Sequence, residues 1–147
     1  GDALGALFGR LGSARDRAET LRALLSPLEA EVELAQACLR PRPVEDVAEL
    51  RRLTEGMAAM PPGAAQVRAL EALGRHYVSD GEVLRTLVAL YARTTSAAVQ
   101  TAVAGILLRA DRSALDAPEL RRTLISLRRD AGGEGTIDAL IALLAAP

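Results

Sequence analysis

The chain of 147 residues has no lysine, no asparagine and no tryptophan, and Phe8, Tyr77 and Tyr91 are its only aromatic residues. Cys38 and His76 are each the sole representative of their type. A single cysteine excludes an internal disulfide framework and leaves the redox compartment open. One cysteine and one histidine cannot close a zinc site without carboxylates, and no metal-ligand spacing surrounds either, so no metal or cofactor is expected. A Ser-His-Asp arrangement would have to use His76 on an ordinary helix end, and no Gly-x-Ser-x-Gly elbow occurs. Catalysis is therefore not expected. An excess of one charge sign is also missing. The 18 basic residues, all arginine, face 19 acidic ones, for a formal net charge of −1. That balance supplies no global field for nucleic acid or anionic lipid, and three aromatics leave little on which to stack a base. No apolar run reaches the length of a membrane span. β-Branched residues never alternate with polar ones over a strand length, which excludes a sheet.

What remains is aliphatic. Half the residues are hydrophobic and 2% are aromatic, so the core is built from Leu, Ala and Val, a composition that suits helix-on-helix packing. The abundance of Ala, Leu, Arg and Gly matches the coding bias of a GC-rich bacterial genome. The chain opens on Gly1 without a signal peptide, and a fragment or processed form of a larger protein is expected.

The clearest periodicity runs from Val83 to Asp111. Val83, Leu84, Leu87, Val88, Leu90 and Tyr91 recur at i, i+3, i+4 and i+7, an apolar helical face. Asp80 is placed to cap that helix and Ser96 the next. In the second helix Val99, Ala102, Val103, Ile106, Leu107 and Ala110 form the stripe, crowded by small residues that let axes approach closely. A lone hairpin of this kind leaves one apolar side wet, so it requires neighbours.

Those neighbours are legible. Residues 3–11 read as a short amphipathic helix docking through Phe8, and Ser13 as the cap of a helix over 14–25 with Ala18, Leu21, Leu24 and Leu25 inward. Ser26-Pro27-Leu28-Glu29 has the form of a capping box. It opens a helix to Arg40 with Leu28, Val32, Ala35 and Leu39 inward, stopped by Pro41 and Pro43. A helix over 44–60 turns Val47, Leu50, Leu53 and Met57 inward and ends at Pro61-Pro62-Gly63. The next, over 64–77, buries Val67, Leu70, Leu73 and Tyr77, with Glu71 and Arg75 spaced to pair. After the central unit, Asp116-Ala117-Pro118-Glu119 opens a helix to Arg129 with Leu120, Leu124 and Leu127 inward. Thr136 is read as the cap of a last helix that packs Ile137, Leu140, Ile141 and Leu144.

The hairpins repeat. Arg85-Thr86-Leu87 aligns with Arg122-Thr123-Leu124 at an offset of 37, which also carries Val47, Leu50 and Leu53 onto Leu84, Leu87 and Leu90. Val67-Arg68 aligns with Val99-Gln100 at 32, and Val99, Ala102 and Ile106 with Ile137, Leu140 and Leu144 at 38. Such drift is expected where units share packing more than sequence.

The segments VRALEALGRH and VQTAVAGILLRAD resemble the second helix of the HEAT repeat, in which a Val-Arg pair precedes an Ala-rich stretch. The likeness covers roughly residues 44 to 145. It departs from the family pattern in lacking the Asp-Pro between helices, in having Gln100 for Arg, and in the missing Val-Arg of the last pair. A tetratricopeptide array fits less well because its aromatic positions are empty, and a compact helical bundle is the structural rival. The resemblance implies one all-α domain of stacked antiparallel helical hairpins, an α-solenoid of seven to eight helices. Residues 1–43 would hold N-terminal helices, including a degenerate pair, and 44–147 three HEAT-like pairs.

It also implies a non-catalytic scaffold that binds another protein or a peptide on its concave second-helix surface, through Arg68, Glu71, Arg75, Gln100, Ala104 and Leu108. The alternative of the same shape is a nucleic-acid-binding or DNA-repair module. Arg51-Arg52, Arg121-Arg122 and Arg128-Arg129 speak weakly for it, since adjacent residues on a helix diverge. The remaining polar clusters read as structural. Glu29, Glu31 and Glu33, and Glu45, Asp46 and Glu49, stand near helix N-termini, where carboxylates are favoured. Gly132-Gly133-Glu134-Gly135 lacks the strand and lysine of a phosphate loop.

Overall fold

A computed structural model describes residues 14–147. Phe8 and the helix expected over 3–11 lie outside the described residues, as does Ser13. The described residues form eight α-helices and no strand: α1 (Ala14–Ala23), α2 (Glu29–Leu39), α3 (Val47–Ala59), α4 (Ala64–Leu73), α5 (Gly81–Arg93), α6 (Ala97–Leu108), α7 (Ala117–Ser126) and α8 (Thr136–Ala145). A single 3-10 turn, Arg112–Ala114, joins α6 to α7.

Caps and prolines set the boundaries. Asp46 accepts from the amides of Ala48 and Glu49 at the start of α3, Asp80 from Val83 in α5, Ser96 from Val99 in α6, and Asp116 from Glu119 in α7. Each satisfies an amide that the first helical turn leaves without a partner. α3 stops at Ala59 because Met60 precedes Pro61 and is held extended at φ −64°, ψ 149°. The Ser26 box takes another form: α2 begins at Glu29 with Leu28 at its cap position. Ser26 Oγ accepts from the Leu28 amide and donates to Glu31 instead of Glu29. Gly135, not Thr136, occupies the cap position of α8.

Consecutive helices pair as hairpins, and each hairpin packs on the next. The first helices α1, α3, α5 and α7 contact one another in order, as do the second helices α4, α6 and α8. One continuous core runs from Leu53 to Leu144, with Leu24 and Leu25 of the first hairpin packed against it. Tyr91, fully buried, is its largest side chain and donates its hydroxyl to the Leu124 carbonyl at 2.9 Å. Leu28, Val47, Tyr77 and Leu127, all expected inside, are exposed. Leu28 and Val47 stand at the very start of α2 and α3, while Tyr77 and Leu127 lie past the ends of α4 and α7. A helical face extrapolated beyond the helix that carries it no longer points at the core.

Burial and bonding also fix the register of the repeat. An offset of 34 carries Asp46 onto Asp80 as cap, Leu53 onto Leu87, Met57 onto Tyr91, Gln66 onto Gln100, Leu70 onto Ala104 and Leu73 onto Leu107, every one of the last five pairs buried. The offsets of 37 and 32 read from sequence for this pair of units come from sliding each helix along its own apolar stripe. From the second unit to the third, 37 carries Gln100, Val103 and Leu107 onto Ile137, Leu140 and Leu144.

Candidate functional site

Among the described residues, the side-chain bonds that span long stretches of sequence join one hairpin to the next. Arg93 donates to the Ala58 carbonyl at 2.8 Å, and Arg109 to the Gly74 carbonyl at 3.0 Å, each across 35 residues. Arg129 donates to the Thr94 carbonyl across the same 35 residues. The acceptors lie at the ends of α3, α4 and α5, where the last carbonyls of a helix have no intrahelical donor. A guanidinium there also meets the negative end of the helix dipole.

Gln66 and Gln100 form a second recurring link. Each donates to a carbonyl nine residues back, Gln66 to Met57 at 2.9 Å and Gln100 to Tyr91 at 3.1 Å, which ties the second helix of a hairpin to the end of the first. Gln100 also donates to the Leu127 carbonyl at 2.7 Å and accepts from the Arg129 amide at 2.9 Å, so it bridges two hairpins. Gln66 has no such onward link, and its Oε1 is the one buried side-chain polar atom without a partner among the described residues.

Carboxylate–arginine pairs complete the set. Arg51 of α3 grips Asp80 with two bonds of 2.9 and 2.8 Å while Asp80 caps α5. The guanidinium, together with the Val83 amide, holds the Asp80 carboxyl down to about 2 against its desolvation. Arg17 of α1 holds Glu49 of α3 in the same fashion and lowers its carboxyl. Arg128 binds both oxygens of Asp138 at 2.7 Å and also Asp130, and it draws the Asp138 carboxyl down. The glycine-rich loop meets this guanidinium at Gly132. Gly132 sits at φ +75°, with the Arg128 guanidinium 3.1 Å from where a Cβ would stand, so both backbone and space call for glycine. A loop spent on an internal cation has a structural occupation of its own.

The residues expected to carry chemistry are dispersed. Cys38 is half-buried, and burial pushes its thiol up, away from the reactive thiolate. His76 is exposed past the end of α4. Asp46 caps α3 and Glu49 is paired, while Glu29 meets Arg68 at 3.9 Å. Among the described residues, no group of three or more His, Cys, Asp or Glu side chains is placed to hold a metal ion, and no helix is long and apolar enough to cross a membrane.

One groove runs over the second-helix layer. It has a volume of 520 Å³ and is lined by Val67, Glu71 and Gly74 of α4 and its end, by Ala98, Thr101, Ala102, Gly105, Ile106, Leu108 and Arg109 of α6 and its end, and by Thr136 of α8. Of the six residues expected on the binding face, Glu71 and Leu108 line this groove. Arg68 is half-exposed in its ion pair with Glu29. Arg75 is exposed on a different cavity, between α4 and the first hairpin. Gln100 and Ala104 are 0% exposed and belong to the core, so neither has surface to present to a partner. The stripe expected inward on α6 is buried at Val99, Val103, Ile106, Leu107 and Ala110, but Gln100 and Ala104, expected on the binding face, adjoin it on the buried side, and the groove-lining Ala98, Thr101 and Gly105 were missed. The usable signal was their size: small side chains concentrated on one face of a helix mark a place of close approach.

Comparison with family models, curated proteins and solved structures finds no match to this chain.

Proposed function

We propose that the protein is a non-catalytic scaffold of HEAT-like helical hairpins, arranged as an α-solenoid, that holds a peptide or helix of another protein in the α4–α6–α8 groove. The observation that carries this reading is Gly105. It lies inside α6, three residues before its end, and glycine within a helix costs up to about 1 kcal/mol relative to alanine. Its missing Cβ would meet nothing closer than Thr136 Cγ2 at 3.9 Å, an ordinary contact. Packing within the chain therefore does not call for glycine there. A partner whose backbone lies against α6 would. Three successive second helices contribute to the groove, as expected where stacked units present a continuous surface.

The spacing of 34 to 37 residues falls between a tetratricopeptide unit and a longer HEAT unit. The empty aromatic positions favour the latter. The nucleic-acid alternative is the weaker reading, because Arg17, Arg51, Arg93, Arg109, Arg112, Arg128 and Arg129 are engaged in bonds within the chain.

The test is a peptide-display selection against the chain, followed by affinity measurements on Ala98→Trp. Ala98 is exposed and lines the groove, so the indole fills it without entering the core. Selected peptides should lose about tenfold or more in affinity for this variant. Peptides that bind both proteins equally would put the docking surface elsewhere. A selection that yields no specific binder would remove the scaffold reading altogether.

A further inference from the structure

A second cavity, independent of the α4–α6–α8 groove, lies where the first hairpin meets α4. It has a volume of 310 Å³, at the small end of ligand sites. Its apolar floor includes Leu39, Val44 and Leu73, and Arg40, Arg75 and His76 stand at its rim, all three exposed. Among the described residues, no carboxylate lines it. Of the described acids close to it in sequence, Glu31 is turned to Ser26 and Glu71 lines the other groove, while Glu33 and Glu45 are exposed and outside its lining.

This concentration of cations stands out in a chain where arginines are mostly matched by carboxylates or carbonyls. Among the described residues, neither Arg40 nor Arg75 has such a match. The ends of α2 and α4 point their carbonyls toward this corner, each equivalent to roughly half a negative charge. Two full positive charges exceed that sum by about one unit, so the cavity favours an anion. An apolar floor inside a cationic rim complements an apolar side chain flanked by carboxylates.

We infer that the Arg40–Arg75–His76 cavity is a docking site for an acidic peptide segment that seats an apolar side chain on Leu39, Val44 and Leu73. The carboxylates supply orientation and a faster encounter, and the apolar side chain supplies most of the residence time.

The probe is a fluorescein-labelled peptide of two leucines flanked by aspartates, with its asparagine and lysine counterparts, titrated by anisotropy against the full chain. The acidic peptide should bind, weaken as salt rises, and exceed the asparagine peptide by about tenfold. Arg75→Glu and Arg40→Glu should each weaken it by about tenfold, and Arg75→Gln by less. Arg121→Glu, an exposed residue of α7, should stay within about twofold. Circular dichroism verifies that each variant is folded, and Ala98→Trp separates the two grooves. Retained affinity in Ala98→Trp supports the inference. Loss there with none in Arg75→Glu would seat the acidic peptide in the α4–α6–α8 groove, overturning this site while leaving the scaffold reading standing. Equal loss in Arg121→Glu, equal affinity for the lysine peptide, or no binding would each overturn it. Self-association abolished by Arg75→Glu would show a second copy of the chain as the occupant and would likewise overturn it.

Discussion

Replacing Gln66 and Gln100 by leucine, one at a time, should produce very different losses of stability from the same change of chemistry. Both residues are buried, at 1% and 0% exposure, and both occupy the same position of their hairpins. Leucine is close to glutamine in volume, so packing changes little in either case. At Gln100 the change leaves two carbonyls, of Tyr91 and Leu127, and the Arg129 amide without their partner. A buried polar group left unsatisfied costs about 1–3 kcal/mol. Three such groups, partly relieved by relaxation and by the added apolar area, put the loss at about 3 kcal/mol. At Gln66 the single lost bond leaves the Met57 carbonyl still paired with the Met60 amide at 3.2 Å. The substitution also removes the orphaned Oε1, so loss and gain nearly cancel and the net effect stays within about 1 kcal/mol. For a domain of this size about 1 kcal/mol moves Tm by roughly 3–4 °C. Gln100→Leu should therefore melt about 10 °C lower, and Gln66→Leu within about 3 °C of the parent. Calorimetry and urea titration with an unchanged m-value would establish both figures. Equal losses, or a larger one at Gln66, would refute the assigned bonding and with it the 34-residue register.

The Asp80–Arg51 pair should give stability a defined acid limb. A carboxyl lowered from 3.8 to about 2 stabilises the fold fully above its ordinary value and loses that contribution as pH falls from about 4 toward 2. With the Arg51 side chain 41% exposed, solvent screening reduces the effect to about 1 kcal/mol. Asp80→Asn should cost about that much at neutral pH and flatten the slope below pH 4 in urea titrations; an unchanged slope would contradict the assignment. Gly105→Ala should raise stability by about 0.5–1 kcal/mol through helix propensity, while weakening any ligand of the α4–α6–α8 groove. A loss of stability would mean the open space beside Gly105 is filled, and unchanged binding would detach that glycine from recognition.

The all-helical fold was legible from composition and spacing, because Leu, Ala and Val at helical intervals admit no other way to bury themselves. The caps Asp80, Ser96 and Asp116 were legible for an equally local reason: a short polar side chain before an apolar stripe satisfies amides one turn away. Gln100 was not. Its partners Leu127 and Arg129 are 27 and 29 residues distant, and nothing local distinguishes a glutamine that bridges hairpins from one that faces a ligand. Arg128 and Arg129 were expected to diverge, and they do, but their partners were not legible: Arg129 reaches back to Thr94 and Arg128 forward to Asp138. Long side chains carry their function to wherever their tips end, which sequence spacing does not record. The α4–α6–α8 groove was legible in part, since Glu71 and Leu108 belong to it, while Gln100 and Ala104 fell on the buried side of α6, beside the apolar stripe.

The arginines that reach back 35 residues also bear on how such a chain changes length. Arg93, Arg109 and Arg129 each supply the donor from one hairpin and draw the acceptor from the one before. Donor and acceptor sets are thus carried on opposite ends of a single unit, in the manner of a tile with matching edges. A duplicated central hairpin inserted after itself would find its arginines opposite the helix ends of its own copy, and the downstream hairpin would meet the edge it already fits. Copy number can then rise by whole units without any new bond being invented, whereas insertion of a partial hairpin would strand guanidinium groups against the wrong turn of helix. The bonds that hold neighbours together therefore act as a reading frame, one that tolerates growth in steps of one hairpin and resists every other increment.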